Sequence, residues 1–320
     1  MVKNYNTNME ELTKIEKRVL IYLIAHGLSE PITAVSKKLR IKTSTLSYIL
    51  KKMESRGWIK GYRYRLNPLA FGYSYPFWFF VKARHHKDMH LLDDAILNHP
   101  EVYSTNRITG PYDIAFLAFF RNQYESADFM NRLVEDTSKY MRRIYSYPVL
   151  SLEKFHNIEI RNRNQVKLDK RSIMIINYLM ENPVSNVSKI ASDLGLHRDT
   201  VSKRLKWMKD NQVIIKRSVV LDKRITPQLG LAIRSILFLN VEPSIRKKAL
   251  TTARREGFVH EMFLLGSRFD SLLLTRADSV DCLYSNIQNL FSKGIAVATE
   301  TSIVFYFKEK DSPIHFLNDS

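Results

Sequence analysis

The sequence predicts an α+β protein built by tandem duplication. In each half a winged helix-turn-helix is followed by a ferredoxin-like βαββαβ domain, and the two halves are expected to form an intramolecular pseudo-dimer. Three observations predict this fold class. Residues 41–59, IKTSTLSYILKKMESRGWI, are echoed by residues 196–214, LHRDTVSKRLKWMKDNQVI. The same order of strands and helices follows each copy. Six positions also agree: Thr45, Leu46, Ser47, Leu50, Met53 and Ile59 fall on Thr200, Val201, Ser202, Leu205, Met208 and Ile214.

Residues 10–68 are predicted to form the first winged helix-turn-helix, after about ten loose residues. Apolar spacing predicts helices over residues 12–25 and 32–39 and a recognition helix within 41–59, which Gly57 ends in a left-handed conformation. The alternating stretch 58–66, WIKGYRYRL, is typical of a hairpin and is interpreted as the wing.

Residues 69–156 are predicted to form the first sheet domain. Strands are expected over 75–83, 102–109, 112–120 and 144–155, with helices over 88–98 and 124–140. This βαββαβ order places two helices on one face of a four-stranded antiparallel sheet.

The pattern then repeats. The polar run 157–167, NIEIRNRNQVK, is interpreted as a linker. Residues 168–225 are predicted to be the second winged helix-turn-helix and residues 226–310 the second sheet domain, with strands over 233–241, 258–265, 269–275 and 297–307 and helices over 244–255 and 280–292.

The charge balance indicates a polyanionic partner. Fifty Lys and Arg residues against 32 Asp and Glu give the 320-residue chain a formal net charge of +18, which favours nucleic acid ahead of an anionic membrane surface. No apolar run approaches the ~18 residues that span a bilayer, and no signal-peptide core is present, so the expectation is a cytoplasmic protein without a membrane partner. Cys282 is the only cysteine, which excludes an internal disulfide and a thiolate-rich zinc site.

The two recognition helices carry the predicted DNA contacts. Leu46, Ile49, Leu50 and Met53 form a buried stripe, and the opposite face offers small polar groups first and cations after, which suits base edges and phosphates respectively. Arg198 and Arg204 are best suited to bidentate guanine contacts, and the lysines to phosphates. The alternative for each residue is a solvated helix face. The predicted DNA-binding residues are Ser44, Thr45, Ser47, Tyr48, Lys51, Lys52, Lys60, Arg63, His197, Arg198, Thr200, Ser202, Lys203, Arg204 and Lys206.

These motifs together resemble the Lrp/AsnC family of leucine-responsive, or feast/famine, transcription regulators. The resemblance covers nearly the whole chain twice and includes Gly57-Trp58-Ile59 after the recognition helix and the turn 109–113, TGPYD. It implies a sequence-specific regulator that binds double-stranded DNA. It also implies that the sheet domains are RAM-like, dimerise sheet against sheet and bind an amino-acid-like effector. A single chain would then hold both protomers, and further self-association of such units stays open.

Two departures separate the halves. Where the resemblance implies an Arg in the recognition helix, the second half has Arg204 and the first has Ile49. Where the first half has Gly57, the second has Gln212, next to Asn211, which tolerates left-handed geometry.

The turn 109–113 is the predicted effector site. Gly110 would let the backbone approach a bound carboxylate, Asp113 could pair with an ammonium group, and Thr109 and Tyr112 complete the turn. The alternative, given equal weight, is a β-turn whose Asp caps its own backbone.

Other chemistry is not expected. His86 and His90 stand at i, i+4 without an obvious third ligand, so no metal site is predicted, and no catalytic triad, phosphate-binding glycine loop or cofactor motif is present. Two alternatives to a regulator remain. One is an enzyme similar to the sirohaem decarboxylases, which resemble the same architecture; the histidine-bearing strand pair associated with them is not expected here. The other is an architectural protein that coats DNA without specificity.

Overall fold

The computed structural model describes residues 11–28 and 30–310, so the expected loose segment at the N-terminus lies outside the described residues. The helices are α1 Lys14–His26, α2 Ile32–Lys38, α3 Thr43–Ser55, α4 Met89–Asn98, α5 Gln123–Thr137, α6 Lys170–Glu181, α7 Val187–Leu194, α8 Arg198–Asp210, α9 Arg246–Arg255 and α10 Val280–Ser292. The strands are β1 Ile59–Leu66, β2 Tyr75–Ala83, β3 Val102–Ile108, β4 Ile114–Phe120, β5 Met141–Phe155, β6 Ile158–Glu159, β7 Ile214–Leu221, β8 Ile233–Asn240, β9 Val259–Leu265, β10 Ser271–Ala277 and β11 Ala298–Glu309.

Local sequence sets the starts of the helices. At α1, the Thr13 side chain accepts from the Glu16 backbone N–H, while the Glu16 carboxylate accepts from Thr13, a reciprocal capping box. Asp169 and Ser279 cap α6 and α10 without the reciprocal bond: each side chain accepts one hydrogen bond from a backbone N–H of the first turn. No helix in the described ranges is long and apolar enough to cross a bilayer.

The predicted wing hairpin is wrong. Residues 59–66 form the single strand β1, which pairs antiparallel with β7 of the other half, with Arg63 opposite Ser218. Alternation along 58–66 identified a strand correctly, but the partner comes from a segment about 155 residues away. We call this two-stranded sheet the central ribbon.

The remaining strands form two facing sheets joined by two long strands. The order β2-β4-β3-β11-β8-β10-β9-β5 closes on itself through a further β2–β5 pairing. β5 pairs with β2 up to Pro148 and with β9 from Val149 onward, and β11 pairs with β8 up to Val304 and then with β3. Each long strand therefore begins in the sheet of its own half and ends in the other.

The main hydrophobic core fills the space between the two sheets. Trp78 meets Phe263 with ring centroids 5.4 Å apart, and Phe80 meets Phe238 at 5.1 Å, so aromatic rings from the two halves interlock. Helices α4 and α5 cover the outer face of one sheet and α9 the outer face of the other, through separate buried clusters.

The helical domains pack crosswise. The core of α1–α3 includes Ile225 and Leu229 from the second half, and the Leu12 N–H donates to Gln228 Oε1 at 2.7 Å. The core of α6–α8 continues into Leu69 and Ala70 of the first half. Each helix-turn-helix is thus held by the junction of the opposite half.

The predicted linker is structured at both ends. Its first residues form β6, paired with the end of β5, and the Val166 N–H donates to Ala70 O at 2.8 Å. Gln212 binds the middle: its Oε1 accepts from the N–H groups of Arg161 and Asn162, and its Nε2 donates to Glu159 O. The left-handed residue after α8 is Gln212 itself, with φ 50°, whereas its neighbour Asn211 has φ −89° and does not use the left-handed geometry that it tolerates.

Candidate nucleic-acid interface

Helix α3 buries the apolar stripe that the sequence predicts. Leu46, Ile49, Leu50 and Met53 are buried against α1 and α2. On the opposite face Ser44, Tyr48 and Lys51 are exposed, and Tyr48 is 67% exposed, while Thr45 and Ser47 are half-buried. Ser47 Oγ donates to Thr43 O at 3.0 Å, so this hydroxyl has an internal partner in the free protein. Helix α3 of the first helix-turn-helix therefore presents a modestly charged face to solvent.

Lys52 has a structural role in the free protein. Its Nζ lies 2.7 Å from Oε1 of Glu16, whose side chain is only 3% exposed, and the pair ties α3 to α1. Although burial raises it, hydrogen bonds from Lys52 and Thr13 lower the pKa of Glu16 below its ordinary value. In the free protein the ammonium group of Lys52 therefore stabilises the first helix-turn-helix, and its contact with DNA phosphate stays a prediction.

Helix α8 presents the more cationic face. Val201 and Met208 are buried; among the predicted residues, His197, Arg198, Ser202, Lys203 and Lys206 are exposed and Thr200 is half-buried. His197 is the N-cap: its Nδ1 accepts from the Asp199 N–H at 3.4 Å. Arg198 therefore lies at the N-terminal end of α8, the end that enters a major groove in helix-turn-helix proteins, and Lys203 lies near the middle of the helix.

Arg204 is engaged within the protein. Its guanidinium lies 2.6 Å from Oδ2 of Asp169, the N-cap of α6, and only 26% of its side chain is exposed. This position joins α8 to the helix behind it, in the way that Lys52 joins α3 to α1. In the free protein Arg204 therefore positions α8 against α6, its guanine contact stays a prediction, and Arg198 is the exposed arginine of this helix.

The two predicted wing cations lie on the central ribbon. Lys60 is 55% exposed and pairs with Asp222 at 3.1 Å, so it stays near the surface. Arg63 is 22% exposed and points toward Glu309 at 3.6 Å, which places it over the sheets. Because β1 is not part of a hairpin, Arg63 does not lie on a wing, and its contact with DNA stays a prediction.

Sequence reasoning missed exposed residues at the start of both recognition helices. Arg40, in the turn before α3, adopts φ 51°, and Gly195 occupies the corresponding turn with φ 62°. Lys42 is the exposed N-cap of α3 and corresponds to His197. Asp199, 78% exposed, is an acceptor in the first turn of α8. The offset of 155 residues between the two similar stretches, 41–59 and 196–214, was the available signal.

The turn 109–113 joins the two sheets. The Thr109 N–H donates to Ile303 O, and its Oγ1 accepts from the Ile303 N–H, both at 2.9 Å. A Cβ on Gly110 would lie 3.4 Å from Ser302 Oγ, so another strand occupies the space beside it. Tyr112 packs on Phe80 with centroids 5.2 Å apart.

Both carboxylate oxygens of Asp113 are occupied. Lys82 Nζ lies 3.0 Å from Oδ1, and the Ala83 N–H donates to Oδ2 at 2.8 Å. Asp270 repeats the arrangement with Arg246 and the Val241 N–H. The geometry favours the structural alternative, so the prediction that Asp113 binds an ammonium group is corrected.

A buried ion cluster lies between the central ribbon and the sheets. Arg65 donates to Glu309 at 2.7 Å and to the Tyr103 hydroxyl at 3.2 Å; that hydroxyl lies 2.6 Å from His156 Nε2, and His156 Nδ1 lies 3.4 Å from Glu261. Burial raises the pKa of Glu261 to about 7 and lowers that of Lys216 to about 7.

Two histidines lie near this cluster, His156 in the turn that follows β5 and His260 on the neighbouring strand β9. The N–H of Asn157, next to His156, donates to His260 O at 2.9 Å, and β5 pairs with β9. Burial, reinforced by neighbouring cations, lowers the pKa of both imidazoles well below the ordinary value. Of the two, only His260 lies on a strand, so the expectation that the sheets lack a histidine-bearing strand pair is not contradicted and stays an expectation. No group of three or more His, Cys, Asp or Glu side chains in residues 11–28 and 30–310 is arranged to hold a metal.

Known proteins resemble parts of this chain. A sequence model of the winged helix-turn-helix DNA-binding type matches residues 168–215. An uncharacterized HTH-type transcriptional regulator of Pyrococcus furiosus is 28% identical over 125 residues, 39% of this chain and 80% of the relative. Its Pyrococcus horikoshii counterpart is 27% identical with the same coverage. The solved siroheme decarboxylase NirDL is similar in fold, with a TM-score of 0.59 over 94% of this chain and 97% of that chain at 11% identity.

Proposed function

We propose that this protein is a sequence-specific transcription regulator of Lrp/AsnC type that binds double-stranded DNA through α3 and α8. The observation that carries the proposal is the exposed polar and cationic face of α8, with Arg198, Ser202, Lys203 and Lys206, within the segment that matches a winged helix-turn-helix. The net charge of +18 and the HTH-type regulators among its relatives support it.

The proposal includes an intramolecular pseudo-dimer that arose by duplication. The element order of the first half recurs in the second, and the exchange of β5 and β11 between the sheets is reciprocal. Two helix-turn-helix domains held by one core of sheets would bind DNA half-sites about one helical turn, ~34 Å, apart. Because the two helices differ in charge, the half-sites need not be alike, and α8 is expected to supply more of the affinity.

Selection of bound fragments from the source genome tests the proposal. The expected result is a recurring asymmetric site whose affinity exceeds that of competitor DNA by at least ~10³. A ratio near one would contradict specific regulation and would favour an architectural protein that coats DNA.

An enzyme is the second candidate, because one observation favours it. The fold is similar to siroheme decarboxylase NirDL over nearly the whole chain, and the buried cluster contains His156, His260 and Tyr103. If the protein is such an enzyme, the purified chain should bind an iron tetrapyrrole tightly and give Soret absorbance on titration. We expect no saturable Soret change, in keeping with the exposed recognition helices.

A further inference from the structure

On the second-half sheet, the face that lies toward the core between the two sheets ends in charged residues. Alternation along β8 places Ile236 and Phe238 in the core between the sheets, and the next residue on that face is Arg234. Along β10, Leu272 and Leu274 lead in the same way to Arg276. An apolar face thus changes to a charged edge beneath the central ribbon.

The two arginines stand directly opposite each other. Arg276 pairs with Arg234 in the β8–β10 ladder, where the Cβ atoms of opposed residues lie roughly 5 Å apart. Like charges in this arrangement destabilise a sheet, more so when they are removed from water. The corresponding pair in the first half is Pro76 opposite Phe119, so the fold itself does not require cations here.

The charge around this pair is unbalanced. The charged groups that act on it are Arg65 on the positive side and Glu261 and Glu309 on the negative side, so three guanidinium groups share two carboxylates. The imidazoles of His156 and His260 add no charge, because burial lowers their pKa well below the ordinary value. Arg65 already occupies Glu309. Burial and the proximity of Arg234 lower the pKa of Arg276 to about 9, so positive charge is disfavoured where it stands.

Arg234 lacks an acceptor for part of its guanidinium. Its Nε is fully buried without a hydrogen-bond partner in the part of the chain that the structure describes. Its Cζ lies 3.7 Å from the ring centroid of Phe307, a contact that holds the planar group in place but accepts no hydrogen bond. An unmet guanidinium donor beside a second arginine is the arrangement that a bound oxyanion satisfies.

We propose that Arg234 and Arg276 form a binding site for a small molecule that carries an oxyanion, a carboxylate or a phosphate, and that its occupancy is coupled to DNA binding. The two guanidinium groups would each offer a fork of N–H donors to the anion. The site lies against the ion cluster that reaches the central ribbon through Arg65 and Lys216, and the ribbon connects the two helix-turn-helix domains. The coupling rests on the proposed DNA-binding function; the binding does not.

Calorimetric titration of the full chain without DNA tests the binding. Sodium succinate and inorganic phosphate serve as separate probes at constant ionic strength, which distinguishes a carboxylate source from a phosphate source. We expect saturable one-site binding of one probe, weakened at least tenfold by Arg234→Gln and by Arg276→Phe, which imitates the first half. Arg255→Gln, an equal charge change at an exposed residue, should leave binding unchanged.

The proposal is contradicted if neither probe binds, or if the probe binds equally to wild type and to whichever of the two site variants retains its far-ultraviolet circular dichroism. Affinity for a selected DNA fragment is then measured with and without saturating probe. Unchanged DNA affinity would contradict the coupling, whereas a failure to bind DNA under any condition would contradict the proposed function and leave the anion result standing.

Discussion

Two residues with side chains, Arg40 and Gln212, adopt strained left-handed backbone conformations next to the recognition helices. Arg40 and Gln212 both have φ near 50°, a region that costs a side-chain-bearing residue about 1–2 kcal/mol. Gln212 offsets this through three hydrogen bonds to the segment that joins the halves. Arg40 has no such compensation from its side chain among the described contacts, which is why a role at the DNA surface is attractive.

Replacement of Gln212 separates strain from hydrogen bonding. Gln212→Gly removes the strained conformation but loses three hydrogen bonds, so we expect a net loss of about 1–2 kcal/mol in the free energy of unfolding, measured in urea. Gln212→Ala keeps the strain as well and should be less stable still. A glycine variant more stable than wild type would show that the hydrogen bonds contribute nothing.

Arg40 is predicted to bind phosphate. In Arg40→Gly the relief of strain and the greater freedom of the unfolded chain should roughly cancel, so stability changes by less than about 1 kcal/mol. The slope of log affinity against log salt for the selected DNA should fall by about one. The distant control Arg255→Gln should keep the wild-type slope; a wild-type slope in Arg40→Gly would place Arg40 outside the interface.

The lowered pKa of the buried Lys216 side chain leads us to expect an unusual dependence of stability on pH. Its pKa is about 7 in the folded protein and 10.5 ordinarily, so between these values the unfolded chain binds more protons and stability rises with pH. We expect wild type to gain about 2 kcal/mol between pH 7 and pH 9 relative to Lys216→Met. Urea unfolding at both pH values measures this difference, and equal pH dependence in the two proteins would rule out a neutral buried amine.

At the scale of elements, the central ribbon depends on close approach by α1. Gly27 ends α1 at φ 73°, the Leu28 N–H donates to Arg217 O at 2.7 Å, and a Cβ on Gly27 would lie 2.5 Å from that oxygen. Strand β7 of the second half and the end of α1 of the first half therefore meet backbone to backbone.

Gly27→Ala should consequently destabilise the protein by about 2–3 kcal/mol in thermal or urea unfolding. Gly57→Ala is the matched control, because Gly57 has φ 67° but no neighbour within 4 Å of an added Cβ, so only the backbone strain of about 1 kcal/mol applies. Equal losses in the two variants would mean that the contact with Arg217 is not important.

Local patterns predicted most elements, and non-local pairing escaped them. Periodicity located β2 and α10 to the residue, and the first and last residues of most other elements to within three. The same alternation that identified β1 as a strand could not say that its partner is β7, because a hairpin and a long-range pair have the same period. Likewise, the basic faces of α3 and α8 were visible, but the ion pairs of Lys52 and Arg204 were not, because their carboxylate partners lie on other helices.

At the scale of the whole molecule, the two long strands make each half dependent on the other. β5 and β11 each complete the opposite sheet, and each helix-turn-helix packs on the opposite junction. Neither half buries its apolar surfaces alone, so the distance between α3 and α8 is fixed by the core and not by a flexible linker. The buried ion cluster lies where these exchanges meet, and no sequence pattern indicated it because its members come from five strands and a turn.

Hydroxyl-radical footprinting on a selected genomic fragment tests the central claim that one chain carries two DNA-reading heads. The account predicts two protected regions about one helical turn apart. Replacement of Arg198 and Lys203 by Ala should remove one region, and replacement of Tyr48 and Lys51 by Ala should remove the other and cost less affinity. A single protected region, or a footprint that neither double variant alters, would contradict it.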